Sequence, residues 1–148
     1  MAKVTIDQLE GGAALCAWFE GIPSFHDATL RELELRQGAP GRLIAQTFRV
    51  EPEIDAQGYF LHTKHVAVTL TIFELIAVEL FEFMEAGIMF GLDIETDNDG
   101  ITLSFESSYG VYGRIKAKRI VVSFEPRKPE QDRNSSTAMR GTVVVQNS

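Results

Sequence analysis

The chain has 148 residues, 45% of them apolar and 24% charged, a composition typical of one ordinary domain that buries a sizeable core. A single cysteine, Cys16, excludes an internal disulfide, and no apolar run approaches the roughly 20 residues that a membrane-spanning helix requires. No signal-peptide pattern opens the sequence, so we expect a soluble, cytoplasmic protein with no membrane association.

Charge is unevenly distributed along the chain, whose formal net charge is −7. Residues 63–99 hold eight acids against one base, Lys64, whereas residues 100–125 hold four bases and two acids. The acidic stretch disfavours nucleic acid as a partner, because phosphate binding needs an excess of clustered Lys and Arg. It favours a basic protein partner, and its acids are the candidate partner-binding residues: Glu74, Glu79, Glu82, Glu85, Asp93, Glu95, Asp97 and Asp99.

The first predicted element is a short N-terminal helix. Thr5 and Gln8, three residues apart, match a capping box. The apolar run Ala13 to Phe19, ended by Gly21 and Pro23, is predicted to be the rest of this helix after an interruption near Gly11-Gly12. We expect this helix to pack beside a sheet through its large apolar side chains, Leu15, Trp18 and Phe19.

Alternation of apolar and polar residues predicts strands from Thr29 onward. It is clear in Leu33–Arg36 and again in Val66–Ile72. The turn residues of Gln37–Gly41 predict a tight connection to the next strand, Arg42–Glu51, and hence a hairpin. These segments indicate strands with one buried face.

Two later segments break the simple alternation. Residues 73–86 fit helical spacing and strand alternation about equally well, and we favour a strand. The apolar residues on either side of Lys118 and Arg119 have opposite parity, so a regular strand cannot bury both sets. A β-bulge near these two residues would restore the register.

An acidic cluster has the spacing of an EF-hand calcium loop, with Glu in place of the usual Asp at its first position: Glu95, Asp97, Asp99, Gly100 and Glu106. The flanking residues alternate as strands, however, and a turn at Asn98-Asp99 pairs Ile94 with Leu103 and Leu92 with Phe105. In such a hairpin the last acid lies about 20 Å from the turn, too far to share an ion. We therefore predict a hairpin, with no metal and no cofactor.

Ser24, His26 and Asp27 supply the residue types of a catalytic triad. In an extended segment, however, His26 and Asp27 point to opposite faces, and Ser24 lies about 7 Å from His26 along the backbone. We therefore interpret the three as structural and predict no catalytic residue. His62 and His65 add no zinc site, because their spacing suits a helix whereas their flanks predict a strand.

The end of the domain is basic. Arg114, Lys116 and Lys118 form a strip on one strand face, which we interpret as solvated or as internal counter-charge to the acidic strands. From Pro126 the composition becomes polar and proline-rich, so residues 1–125 are assigned to one β-rich domain and 126–148 to a flexible tail. Within it, Gly141–Val145 could add a short edge strand, although a flexible terminus is favoured.

The order of several short motifs resembles the immunity protein 50 family: Trp18, Pro23–Ala28 (Pro-Ser-Phe-His-Asp-Ala), Gly91–Ile94, Tyr109–Gly113 and Ala117–Ile120. The similarity spans about Trp18 to Phe124. It implies a mostly β bacterial cytoplasmic protein that neutralises a polymorphic toxin delivered by a neighbouring cell, and it carries over no catalytic residue. The family-motif residues are interpreted as structural: Pro23, Ser24, Phe25, His26 and Asp27.

Pattern and resemblance together predict a mainly β (α+β) fold, with a single curved antiparallel sheet, a short N-terminal helix and a flexible C-terminal tail. The leading hypothesis is a non-enzymatic immunity protein whose acidic surface neutralises a cognate, basic toxin, with aromatic anchors such as Tyr59, Phe60 or Tyr112. The alternatives are a small enzyme or ligand-binding domain with a pocket near His26, Asp27 and His62, and a structural interaction module. The oligomeric state is left open.

Overall fold

The chain folds as an antiparallel sheet with one short helix beside it, in a computed structural model that describes residues 2–85 and 87–128. In this part of the chain the strands are β1 (Ala2–Val4), β2 (Thr29–Glu34), β3 (Gly41–Ile54), β4 (Phe60–Phe81), β5 (Ile88–Thr96), β6 (Ile101–Tyr109) and β7 (Tyr112–Pro126). A 3₁₀ turn, Ile6–Gln8, and helix α1, Gly12–Phe19, lie between β1 and β2. The mainly β prediction, with a single antiparallel sheet and an N-terminal helix, is confirmed.

The sheet closes on itself. Its order is β1-β5-β2-β3-β4-β7-β6, and β5 also pairs with β6. Along its other edge β5 pairs with two strands: Ile88 pairs with Thr29 of β2, and Ile94–Thr96 pair with β1. The predicted curvature is thus carried to closure, which leaves few of the unpaired strand edges that invite aggregation.

Apolar side chains of alternating residues fill the inside of the closed sheet. The largest ones on the strands are 2% exposed or less: Leu30, Leu33, Leu43, Leu70, Ile72, Met89, Leu103, Phe105, Ile115 and Ile120. Helix α1 packs against β7, with Leu15 and Phe19 buried and the Trp18 ring 5.6 Å from that of Phe124. The expected packing of the helix is therefore confirmed. The predicted capping box of Thr5 and Gln8 is present, but it caps the 3₁₀ turn and not α1, whose N-cap is Gly11 with no side-chain hydrogen bond.

The ambiguous segment 73–86 continues β4 as far as Phe81, as the strand interpretation predicted, and then turns. Ala86 lies outside the described residues. Along β7 the parity of burial changes at Lys118 and Arg119, which are both exposed. The register shift between β4 and β7 nevertheless falls on β4, between Leu75 and Ala77. Sequence analysis therefore predicted an irregularity where β4 pairs with β7, but it assigned the bulge to β7, whereas the register shift lies on β4.

The acidic segment after Ile94 forms the predicted hairpin. Ile94 pairs with Leu103 and Leu92 with Phe105 across β5 and β6. A carboxylate oxygen of Asp97 accepts the backbone N–H of Asp99 at 2.7 Å and that of Gly100 at 3.0 Å, which holds the turn. Among residues 2–85 and 87–128, no group of three or more His, Cys, Asp or Glu side chains could hold a metal ion.

Strands β3 and β4 extend beyond the closed sheet. The β2–β3 pairing ends at Gln46 and the β4–β7 pairing at Val66, so Arg49–Ile54 and Phe60–Thr63 form a two-stranded arm with no further strand on either side among the described residues. Beyond β7, Arg127 still donates its backbone N–H to His65 at 2.7 Å. The rest of the predicted tail, including the edge strand predicted at 141–145, lies outside the described residues. No helix in the described ranges is long and apolar enough to cross a membrane.

Candidate functional site

The Pro-Ser-Phe-His-Asp-Ala segment joins β2 to β5 and so closes the sheet. Asp27 donates its backbone N–H to the carbonyl of Met89 at 2.9 Å, and Met89 donates its own to the carbonyl of Ala28 at 2.8 Å. Pro23, Phe25 and Ala28 are buried beneath this contact. The buried half of the motif therefore anchors the closure.

The exposed half of the motif is a turn and not an extended strand. Asp27 has a φ of 66°, and Ala28 donates its N–H to the carbonyl of Phe25 at 3.0 Å. This turn brings His26 Nε2 to 3.7 Å from a carboxylate oxygen of Asp27, so the expectation that the two side chains diverge is wrong. The other ring nitrogen of His26 lies 2.9 Å from the carbonyl of Phe90.

A concave pocket of about 400 Å³ lies beside this turn, lined by Ser24, His26, Asp27 and Arg49 among others. The Ser24 hydroxyl does not face the imidazole, since it accepts the backbone N–H of His26 at 3.3 Å. His62, which was expected here, does not line the pocket; its ring stacks on Phe48 with centroids 4.1 Å apart. The pocket therefore brings Ser24, His26, Asp27 and Arg49 together but leaves His62 outside.

The eight candidate acids do not form one uniform surface. Glu74 and Glu79 lie on β4, Glu82 and Glu85 in the turn after it, and the rest on β5 or in its hairpin turn: Asp93, Glu95, Asp97 and Asp99. Glu79, Glu95 and Asp97 line one groove of about 380 Å³ on the outer face of the sheet. Two residues of the basic strip on β7, Arg114 and Lys116, line the same groove, whereas Lys118 does not.

Two bases of β7 neutralise much of the acidic charge in this groove. Lys116 Nζ is 3.0 Å from a carboxylate oxygen of Asp97 and 3.9 Å from one of Asp99, and Arg114 is 3.3 Å from Glu79. The hydrogen bond from Lys116, helped by the backbone N–H groups of Asp99 and Gly100, lowers the pKa of Asp97 below its ordinary value of 3.8. These two bases therefore act as the internal counter-charge that was one interpretation of the strip.

Arg119 compensates a second acidic position. Its guanidinium donates two hydrogen bonds to the carboxylate of Glu10, at 3.0 and 2.6 Å, and lies 5.0 Å from the centre of the Phe73 ring. This hydrogen bonding raises the pKa of Arg119, with a smaller contribution from the nearby charge of Glu74. Glu74 is thus partly balanced as well, and Asp93 lies 4.0 Å from the ammonium of Lys3.

Of the eight candidate acids, four take part in no ion pair within the described ranges: Glu74, Glu82, Glu85 and Glu95. Two of these, Glu82 and Glu85, lie in the turn that follows β4. Next to them the rings of Phe81 and Tyr112 stack with centroids 5.3 Å apart, although they are 46% and 40% exposed. The Glu85 carbonyl accepts the backbone N–H of Val111 at 2.9 Å, and this hydrogen bond holds the turn beside Tyr112. We name this surface the acidic aromatic patch: Glu79, Phe81, Glu82, Glu85 and Tyr112.

Comparison of the chain with protein-family models, with curated proteins and with solved structures found no match. The resemblance seen in the motifs therefore stays a prediction. Sequence analysis named Tyr112 as a candidate anchor but did not name Phe81, the ring that stacks on it. Phe81 could have been found from the pairing of the end of β4 with the start of β7. That pairing, however, depends on the register shift between Leu75 and Ala77.

Proposed function

We propose that this protein is a non-enzymatic inhibitor that binds a basic protein toxin in the cytoplasm of the cell that makes it, as expected of the immunity protein 50 family. The observation that carries the proposal is the acidic aromatic patch, where two stacked and half-exposed rings are bordered by acids without counter-charge. Buried aromatic anchors within a polar rim are the usual centre of a tight protein interface.

The two components of the patch have different roles in binding. Phe81 and Tyr112 are already held against each other, so little conformational entropy is lost when a partner covers them. Glu82 and Glu85 select a cationic surface and disfavour an acidic one. The net charge of −7 adds long-range attraction that speeds the encounter at low ionic strength.

The proposal reduces the candidate partner-binding acids from eight to the three in the patch, Glu79, Glu82 and Glu85. Asp97 and Asp99 are paired with Lys116, so a partner that bound either carboxylate would have to displace this base. The lost ion pair would offset part of the free energy gained on binding. Glu79 belongs to the patch by position, but it is shared with Arg114. Among the acids without an ion pair, Glu82 and Glu85 follow Phe81 directly in the chain whereas Glu74 and Glu95 do not, so replacing Glu82 and Glu85 has the largest expected effect on binding.

Co-expression with the product of the adjacent upstream gene tests the proposal. That product is expected to be toxic alone and harmless beside the full chain, and the double variant Glu82→Lys/Glu85→Lys should lose this protection. A matched control is Glu53→Lys/Glu125→Lys, since both positions are exposed and the net charge changes equally. Toxicity that the unaltered chain does not relieve would contradict the proposal. Equal loss in the control would show that only total charge matters.

A ligand-binding role is the second candidate, favoured by the pocket that collects Ser24, His26, Asp27 and Arg49. The same co-expression distinguishes it. His26→Gln keeps a side chain that can hydrogen-bond to the carbonyl of Phe90, so the closure of the sheet is preserved while the imidazole is lost. Protection that survives this variant supports the patch, and protection lost in a folded variant supports the pocket.

A further inference from the structure

The two faces of the arm differ sharply in polarity. Directly paired residues lie on the same face of a two-stranded ribbon. The pairs Val50 with His62 and Ile54 with Phe60 are separated by a register shift, but by an even number of residues on each strand, so we place both pairs on one face. The Phe48 ring, stacked on that of His62, extends the same face towards the body of the protein. We name it the apolar arm face.

The opposite face of the arm is polar and internally bonded. Thr63 donates its hydroxyl to Glu51 at 2.6 Å, and Arg49 Nε lies 3.3 Å from the same carboxylate oxygen. Arg49 also donates to the carbonyls of Phe19 and Glu20, which fixes the root of the arm to the end of α1. The arm is therefore tethered at its root, and its apolar face is turned away from these bonds.

The apolar arm face is large for a surface exposed to water. Val50 is 55% exposed, Ile54 61%, Phe60 57% and the adjoining Tyr59 72%. With side chains of this size, the exposed surface is on the order of 400 Å², at the upper end of what a monomer leaves in one patch. Two such faces together bury about 1,000 Å² once their rims are included, which is where specific interfaces begin.

The arrangement on this face is self-complementary. Its aliphatic residues, Val50 and Ile54, lie on β3, and its rings, Phe60 and His62, lie on β4. When a second arm is turned by a two-fold rotation and laid on the first, the aliphatic row of each can lie on the aromatic row of the other. A two-fold contact requires such matching, because every contact between a residue of one copy and a residue of the other occurs twice across the axis.

The apolar arm face itself carries no acid or Lys/Arg base that would oppose this contact. On the other face Arg49 pairs with Glu51, while Glu53 and Asp55 leave the arm and its tip with a net negative charge. The −7 charge of each copy is concentrated in residues 63–99, after the arm. A basic partner would gain more at the acidic aromatic patch than on a face that offers it only apolar contacts.

We propose that the apolar arm face is the contact between two copies of this chain, which form a two-fold dimer through their arms. The contact is independent of the proposed toxin binding, because the arm and the acidic aromatic patch lie at opposite ends of β4. The dimer buries Val50, Ile54 and Phe60 against the same residues of the other copy.

Sedimentation equilibrium of the full chain from about 1 µM to a few hundred µM tests the dimer. The unaltered chain should pass from monomer to dimer across this range, and Phe60→Asp should raise the dissociation constant at least about 30-fold. Met84→Asp is the matched control: Met84 is 95% exposed, at the other end of β4, so the same change there should leave the dimer intact. Unchanged thermal unfolding of Phe60→Asp would show that the variant is folded.

Three results would overturn the proposal. The first is a monomer at every concentration, and the second is a dimer that Phe60→Asp leaves unchanged. The third comes from hydrogen exchange at Leu61 in the arm, which should slow as concentration rises. Slow exchange that does not depend on concentration would mean that another segment of the same chain covers the arm.

Discussion

Replacing Tyr112 with alanine tests the acidic aromatic patch at its anchor. Tyr112 is 40% exposed, so of a side chain that offers about 200 Å², roughly 80 Å² remains for a partner to cover. At about 25 cal/mol per Å², this area contributes about 2 kcal/mol to the free energy of binding, which corresponds to about 30-fold in Kd. The variant also loses the stack on Phe81, at a cost of about 1 kcal/mol in the free energy of unfolding.

The assay is isothermal titration of the toxic partner into the full chain, together with urea unfolding of each variant. Phe60→Ala is the control, because Phe60 is 57% exposed at the other end of β4 and should leave the Kd for the toxin unchanged. A Kd for Tyr112→Ala within about twofold of the original value would refute the anchor role. So would equal weakening by both variants, since the effect would then not depend on the patch.

Three further changes probe the frame that carries the patch and the arm. Arg49→Met removes the hydrogen bonds to the carbonyls of Phe19 and Glu20, and urea unfolding should show a loss of about 2 kcal/mol; no loss would mean the arm root is held by packing alone. Gly113 has a φ of +146°, and a Cβ there would lie 2.0 Å from the Glu79 carbonyl oxygen, so Gly113→Ala should cost at least about 2 kcal/mol of unfolding free energy; an unchanged midpoint would contradict this strand approach. Because the pKa of Asp97 is lowered in the folded state, its contribution is present above pH 3.8 and is lost as pH falls further. Asp97→Asn should therefore lose less stability than the original chain on acidification, and parallel pH profiles of the two would argue against the Lys116 pair.

The hairpin of β5 and β6 was predictable because two independent signals agreed. Alternation fixed which residues face inward, and the turn chemistry of Asp97 to Gly100 fixed the register, so the pairing of Ile94 with Leu103 followed. The helix was predictable from its apolar run alone, since the capping residues Thr5 and Gln8 belong to the separate 3₁₀ turn before it. Where local and longer-range signals coincide, a single sequence is enough.

The sequence could not predict that the sheet closes, nor which of the acids are paired with a base. Closure depends on backbone groups of Asp27, Ala28 and Met89, which every residue carries, and on a turn with positive φ at Asp27. The neutralisation of Asp97 by Lys116 depends on which strands are neighbours, because the two residues are 19 positions apart. The arm has the same alternation as a core strand, so only the lack of neighbouring strands in the described part of the chain reveals its uncovered face.

One continuous strand, β4, runs from the arm at Phe60 to the patch at Phe81. Joining two molecules by their arms would therefore leave their patches at the two outer ends of the assembly, each free to engage a separate molecule. Such a bivalent arrangement raises apparent affinity only for targets that are clustered or repeated, because a second engagement then occurs at high local concentration. The length of a single strand would in this way set the spacing of targets that the assembly can cross-link.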